Sequence, residues 1–257
     1  MNKEEIKKLK IVYQPKVDLK TNKFIGAEVL ARFIDENSDT INTESVLSLL
    51  SNYEDMKNLT TAVIYKVIDD FIYLEKLNKK LIRISINISS LEIENDNLSL
   101  WINSIFNADN KKYIKYIEFE ITERNKVLSS LKLQSGIEIL KNLGFKISLD
   151  DVGAGYNTID IINNYDVDYI KLDKTLINCV LKNNLIQGFN YLKRIIDLSH
   201  SLNMKVIAEG IEDIVTYKGL SYINCDYGQG FYISNPVSLE QLINLIDECL
   251  FDIDLNY

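Results

Sequence analysis

The chain has 257 residues, a formal net charge of −8, and 46% hydrophobic against 26% charged residues. Folding at that length buries roughly 73% of the extended surface, so a full core forms without staples and widespread disorder is not expected. The acidic balance argues against a nucleic-acid polymer as partner, because such binding depends on basic surface.

The chain opens on MNKEEIKKLK, which is polar with no apolar segment behind it, and it carries no apolar run long enough to span a membrane. Residues 11–19 and 24–33 read as strands around a turn at 20–23, an antiparallel hairpin. Helical spacing runs through 44–50 and 58–77, followed by a strand at 81–88 and a helix at 98–106. A strand at 116–121 leads to a helix over 128–143 that Gly144 closes. Strands at 145–149 and 167–172, a helix at 185–202 and a strand at 205–208 come next. A short helix at 213–220, a strand at 222–225 and a last helix at 239–250 end the series. Strands alternating with helices over this length predict one α/β domain across 1–257. It is a TIM-like (β/α)8 barrel whose first strand is irregular and antiparallel. An open doubly wound sheet fits less well, since its Gly-rich phosphate fingerprint is absent.

Cys179, Cys225 and Cys249 are odd in number and scattered, with no CxxC pair, so neither a disulfide framework nor a zinc site is expected. A reducing cytoplasm suits them. The lone His200 excludes any mechanism that needs two histidines and reads as a residue complementing a helix C-terminus.

Strands of a parallel barrel are buried on both faces and normally read as apolar runs. Here they alternate. Ile84, Ile86 and Ile88 oppose Ser85, Asn87 and Ser89; Phe119 and Ile121 oppose Glu118, Glu120 and Thr122. Ser148 and Asp150 alternate with Ile147 and Leu149, and Lys171 and Asp173 with Ile170 and Leu172. Glu28 and Arg32 share one face, and Glu209 follows the apolar 206–208. Barrel enzymes place their chemistry at the C-terminal ends of the strands. Gathering Glu28, Asn87, Glu120, Asp150, Asp151 and Glu209 there puts five carboxylates together, which repel unless cations intervene. An all-oxygen set suits Mg²⁺, Mn²⁺ or Ca²⁺ on ligand type. The vicinal Asp150-Asp151 pair lets one carboxylate bridge two ions, a common arrangement for phosphodiester hydrolysis. A glycosidase pair of Glu120 and Glu209 is the competing reading, but it leaves the Asp pair and Lys171 unexplained.

At these residues the sequence resembles the EAL-domain phosphodiesterases, which hydrolyse cyclic di-GMP to linear pGpG. The resemblance runs from YQPKVDL at 13–19 to QGFYISNP at 229–236. Between them stand EVLARF (28–33), NIS (87–89), FEITE (119–123), DDVGAGYN (150–157), DYIKLD (168–173) and AEGIED (208–213). It implies Glu28, Asn87, Glu120 and Asp150 as ligands of a first metal, and Asp150, Asp151 and Glu209 around a second. The ions implied are Mg²⁺ or Mn²⁺, with Ca²⁺ inhibitory. Lys171 and Gln229 match residues that position or polarise the hydrolytic water; Gln14, Leu30 and Arg32 match substrate contacts. Glu123 matches an anchor for the loop after the Asp pair, in which Gly153 and Gly155 give backbone freedom and Tyr156 stays open in role. Asp173 and Glu212 read as orienting groups, and Glu118 as a paired structural acid. A homodimer through the helices after that loop is also implied. The signature reads EVL, with Val29 where Ala is usual, and Val152, Asn157 and Asp213 also depart from the pattern; none removes a ligand. The alternative within the family is a receptor that binds cyclic di-GMP or a protein without turnover.

Overall fold

The computed structural model describes residues 9–34, 40–41, 52–122, 131–152 and 162–247. The helix expected at 44–50 lies outside them, as do Glu123, Gly153, Gly155, Tyr156, Asn157 and Cys249.

The first two strands, β1 (Leu9–Asp18) and β2 (Phe24–Ile34), form the expected antiparallel hairpin, in register from Leu9↔Phe33 to Lys16↔Gly26, with a shift before Val17↔Phe24. The two-residue β3 (Thr40–Ile41) pairs antiparallel with the end of β2. Next come β4 (Arg83–Ser89), β5 (Ile117–Thr122), β6 (Lys146–Val152), β7 (Tyr169–Leu172), β8 (Lys205–Ala208) and β9 (Tyr227–Gly228), with each neighbouring pair from β4 to β9 parallel. β2 runs parallel to β4 and β1 is antiparallel to both β2 and β9, so eight strands close into a barrel with β1 reversed. That closure is the TIM-like topology with the antiparallel first strand.

The connecting helices are α1 (Tyr53–Lys76), α2 (Ser90–Ile93), α3 (Leu98–Ile105), α4 (Leu131–Leu143), α5 (Lys174–Asn183), α6 (Leu185–Ser201), α7 (Ile214–Tyr222) and α8 (Leu239–Asp247). Their starts follow capping chemistry. Asn52 accepts from the Asp55 N–H, Asp173 from Thr175, Asn184 from Gln187 and Asp213 from Thr216. Gly144, at φ 102°, ends α4 as the sequence predicts. Asn78, Asn203 and Asn224 take the same left-handed position after α1, α6 and α7.

Two sequence expectations need correction. The strand expected at 222–225 is the end of α7 and its cap: Cys225 N–H bonds the Leu220 carbonyl at 3.0 Å and Asn224 N–H that of Ser221 at 3.1 Å, a Schellman turn. The last barrel strand is β9, two residues further on. Helix α5 was not anticipated, although Leu176, Ile177, Val180 and Leu181 hold helical spacing behind the Asp173 cap. Asn184, at φ −162°, separates it from α6.

The outward strand faces form the core beneath the helices, with Ile84, Ile86, Ile88, Phe119, Ile121, Ile147, Leu149, Ile170, Leu172 and Val206 all buried. The inward faces carry the polar set, including Lys16, Glu28, Ser85, Glu118, Glu120, Ser148 and Lys171, also buried. The barrel interior is therefore polar and its exterior apolar, which is why each strand alternates instead of reading as a hydrophobic run.

Candidate metal and active site

Every strand of the closed barrel delivers one polar side chain to the same end. Gln14 comes from β1, Glu28 from β2, Asn87 from β4, Glu120 from β5, Asp150 from β6 and Lys171 from β7; Glu209 and Gln229 directly follow β8 and β9. Gln14 pairs with Glu28 and Asn87 with Glu120 in register. Lys171 is the hub. Its ammonium lies 2.7 Å from Glu120, 2.7 Å from Glu209, 3.0 Å from Asp150 and 3.4 Å from Glu28. Asn87 Nδ2 donates to Glu28 at 2.9 Å and Gln229 Nε2 donates to it at 2.6 Å. Gln229 Nε2 also reaches Gln14 Oε1 at 3.2 Å. Around these residues Leu30, Lys174, Gly210, Glu212 and Phe231 complete an open mouth of about 330 Å³, at the lower end of the usual range for a small-ligand site.

A regular strand would send Asp150 and Asp151 to opposite faces. Here the β6–β7 register shifts between Leu149 and Val152, and Asp151 sits at φ 54°, in the left-handed region that Asp tolerates better than most residues. Such a bulge re-aims side chains beside active sites. Carboxylate oxygens of Asp150, Asp151 and Glu209 consequently lie within 4.8 Å of one another. Gly210, at φ 60°, turns the chain just after Glu209, and a Cβ there would lie 2.5 Å from the Lys174 side chain.

The electrostatics follow from burial and neighbours. Burial alone would lift the Glu120 pKa, but Lys16 and Lys171 on its two oxygens hold it at about 2. Glu28 is pushed up by burial and by Glu120, against the pull of Lys171. Desolvation, opposed by Lys171 and reinforced by Asp150 and Glu28, raises Glu209 to about 8. Asp151 is raised to about 6 by desolvation and by Asp150 and Asp173. Burial disfavours the charge on Lys171, yet Asp150, Glu120, Glu209 and Glu28 outweigh it and lift its pKa well above the ordinary lysine value. Lys171 is thus held as a cation by the carboxylates of the metal-free chain.

The donor set fits hard divalent cations. All the candidate ligand atoms are oxygens. Asn87 Oδ1 is buried with no hydrogen-bond partner among the described residues, the state of an oxygen that a cation would satisfy.

Comparison with known proteins agrees with this geometry. The model of the EAL domain matches residues 2–236. This chain belongs to the EAL domain family. It is 31% identical over 233 residues to the biofilm architecture maintenance protein MbaA of Vibrio cholerae, covering 90% of this chain and 29% of that one. It is 26% identical to the cyclic di-GMP phosphodiesterase PdeA of Borreliella burgdorferi over 88% of this chain and 33% of the relative. The chain thus spans about a third of the length of these curated relatives. In structure it resembles the PaMucR phosphodiesterase, solved in complex with c-di-GMP, with a TM-score of 0.81 at 23% identity over 93% of this chain and 96% of that one.

Within the EAL domain the expected residues take different places. Glu28, Asn87, Glu120, Asp150, Lys171, Glu209 and Gln229 form one bonded cluster, joined by Asp151 through the bulge. Gln14 and Leu30 line the mouth. Arg32 is half-buried further along β2, its Nη1 donating to the Ala31 carbonyl at 2.8 Å. Asp173 caps α5, and Glu212 pairs with Lys174 at the rim. Glu118 is buried beside Lys16 at 3.4 Å, the paired acid expected. His200 lies in the last turn of α6, as expected, and also meets Asp226 at 2.7 Å. Cys225 is a buried free thiol whose pKa burial pushes up.

The sequence reading overlooked Lys16. It stands two residues after Gln14 on the same strand face, which was the available signal. Lys174 was overlooked as well; it immediately follows Asp173.

Proposed function

We propose that this chain is a metal-dependent phosphodiesterase that hydrolyses cyclic di-GMP to linear pGpG. The mouth carries the reading. Among the described residues, Glu28, Glu118, Glu120, Asp150 and Glu209 gather around the ammonium groups of Lys16 and Lys171, with Asp151 beside them at the exposed edge, so carboxylates outnumber cations in this cluster. Two divalent cations would neutralise that excess. PdeA and the PaMucR complex support cyclic di-GMP as the substrate.

Glu28, Asn87, Glu120 and Asp150 would hold one cation, and Asp150, Asp151 and Glu209 the other, with Mg²⁺ or Mn²⁺ the ions proposed. When bound, such ions acidify water and neutralise phosphodiester oxygens, so no strong protein base is needed. Lys171, whose ammonium reaches into the mouth beside these carboxylates, is proposed as donor and positive charge rather than as base. Gln229 is fixed through Nε2 to Glu28, which leaves its unpartnered Oε1 to accept a hydrogen bond from the attacking water. Gln14 and Leu30 would receive the nucleotide at the rim, and Arg32 its phosphate through a turn of its guanidinium. Asp173, Glu212 and Glu123 are proposed as supports of the ligand-bearing loops.

We place the chain in the cytoplasm, which suits the buried free thiol of Cys225. Among the described residues no helix is long and apolar enough to cross a membrane. The proposed homodimer uses α5 and α6, where Leu185, Ile186 and Tyr191 are exposed. The deciding experiment incubates the purified chain with cyclic di-GMP and Mg²⁺ or Mn²⁺ and chromatographs the nucleotides. Accumulation of pGpG is expected; bound but unhydrolysed cyclic dinucleotide would make the chain a receptor instead.

A further inference from the structure

Beneath the mouth lies a second polar layer. Lys16, on β1 opposite Gly26, is 3% exposed and crosses the barrel interior to β4 and β5. Its ammonium donates to Ser85 Oγ, to Glu120 Oε1 at 2.5 Å and to Glu118 Oε1 at 3.4 Å. Three donors meet three acceptors, so the group is fully used. Gly26 makes the layer possible, since a Cβ there would lie 2.6 Å from the Arg83 carbonyl oxygen of the adjoining strand.

The two lysines hold Glu120 from opposite sides. Lys171 binds Oε2 and lines the mouth with Glu28, Asp150 and Glu209. Lys16 binds Oε1 and lines a separate cavity toward the other end of the barrel with Arg83, Ser85, Glu118, Tyr169 and Tyr227. A cation arriving at the mouth competes with Lys171 for all four of its carboxylates. It does not compete for Oε1, which faces the layer below. The bond from Lys16 is therefore the one contact of Glu120 that metal binding leaves in place.

Resting on the metal-dependent reading of the mouth, we propose that Lys16 is a positioning residue for metal binding: it fixes one oxygen of Glu120 from inside the barrel and presents the other to the ion. A neutral residue at 16 would leave Oε1 a buried acceptor without its donor, and the carboxylate would swing toward whatever donor remains. Partners of metal ligands typically contribute 10–100-fold in metal affinity. A second effect opposes this one, because removing a positive charge near the site strengthens the attraction for cations. Orientation outweighs charge here, since Lys16 is spent on three acceptors and the ammonium closest to the remaining ligands is that of Lys171.

The test is Mn²⁺ binding to the full chain without nucleotide, measured by electron paramagnetic resonance of free Mn²⁺. Lys16→Met should weaken binding about 10–100-fold, and Lys16→Arg should recover most of the loss. Glu120→Gln should weaken binding too, and adding Lys16→Met to it should change the affinity by less than about 2-fold, because the interaction has already been removed. That double variant also removes the Glu120 charge that Lys16→Met would strand, leaving Glu118 alone without its ammonium, so it can be measured if Lys16→Met alone does not fold. Additive losses, unchanged affinity or tighter binding in Lys16→Met would each overturn the role of Lys16 while leaving the metal site standing. A wild-type chain that binds no Mn²⁺ would overturn the metal site and the role together.

Discussion

Lys171 separates binding from turnover. Its ammonium touches four carboxylates and is held charged by them. Lys171→Met keeps the stem and removes the charge, and should lower kcat on the order of 10²–10³-fold with a much smaller change in cyclic di-GMP affinity. Arg32→Ala should show the reverse, a raised Kd with kcat largely kept. A Lys171→Met enzyme that binds poorly yet turns over normally at saturation would make Lys171 a substrate-holding residue. Titration gives a second residue-scale expectation. In the metal-free chain Glu209 is raised to about 8 and Asp151 to about 6, so the folded state holds protons that the unfolded state has already released above its ordinary carboxylate pKa. Stability therefore falls as pH rises from about 4.5 to 8. Glu120, held at about 2, acts oppositely: its contribution is present above about 4.5 and lost as pH falls toward 2. The metal-free melting temperature should thus decline from mildly acidic to mildly alkaline pH, and Mg²⁺ should offset the decline; a metal-free Tm that rises over pH 5–8 would contradict the assignment. Most of these residues were legible in the sequence, because an acid or amide alternating with Ile or Leu in a buried strand has few structural explanations. Lys16 was not, since a strand lysine more often reaches solvent, and only barrel closure shows that its ammonium ends among Ser85, Glu118 and Glu120.

The bulge in β6 is the element on which the proposed second metal position depends. It turns Asp151 toward Asp150 and Glu209, and it needs a residue tolerant of φ 54°. Asp151→Asn keeps that tolerance and removes the charge, so the fold should persist while affinity for the second Mn²⁺ falls. Asp151→Val should cost stability as well, since a β-branched residue is strained at positive φ. Equal melting temperatures for the two variants would argue that the bulge is unstrained. At the hairpin, Gly26→Ala forces β2 away from the Arg83 carbonyl and should destabilise the chain by about 1–3 kcal/mol, measurable by denaturant titration. Strand alternation and Gly144 made most elements legible. The miss at 222–225 has a local cause: Tyr222, Ile223 and Cys225 form an apolar run of strand composition, but Asn224 at φ 62° ends a helix there. The bulge itself was illegible, since its sequence KISLDDV differs from a regular strand only in the second Asp.

At the scale of the molecule, an inward-polar, outward-apolar barrel concentrates charge where the proposed cations would neutralise it, which would link metal binding to folding and to the proposed dimer. Mg²⁺ or Mn²⁺ should be required for hydrolysis, and excess chelator should stop it. Ca²⁺ should bind the same oxygens yet inhibit, because its larger radius and looser coordination misplace the reacting groups. Metal also reaches the proposed interface through the chain itself. Asp150 and Asp151 end β6, and after β7 the chain enters α5 at Asp173, a neighbour that raises the Asp151 pKa. Asp173 is bonded to Thr175 as the α5 cap, and α5 leads through the extended Asn184 to α6, where Leu185 and Ile186 are exposed. A cation held by Asp151 and Glu209 would neutralise Asp151 and relieve its repulsion from Asp173, the proposed route from the site to α5. If α5 and α6 form the dimer contact, Mn²⁺ should tighten self-association, and association should tighten Mn²⁺ binding by the same factor, as linkage requires. Sedimentation of the chain with and without Mn²⁺ measures the first quantity. Ile186→Glu, which places a charge in the contact without touching a ligand, should shift the chain to monomer and weaken Mn²⁺ binding. A chain that stays monomeric and fully active at every concentration would remove the dimer from the account and leave the mouth of the barrel as the whole of the machinery.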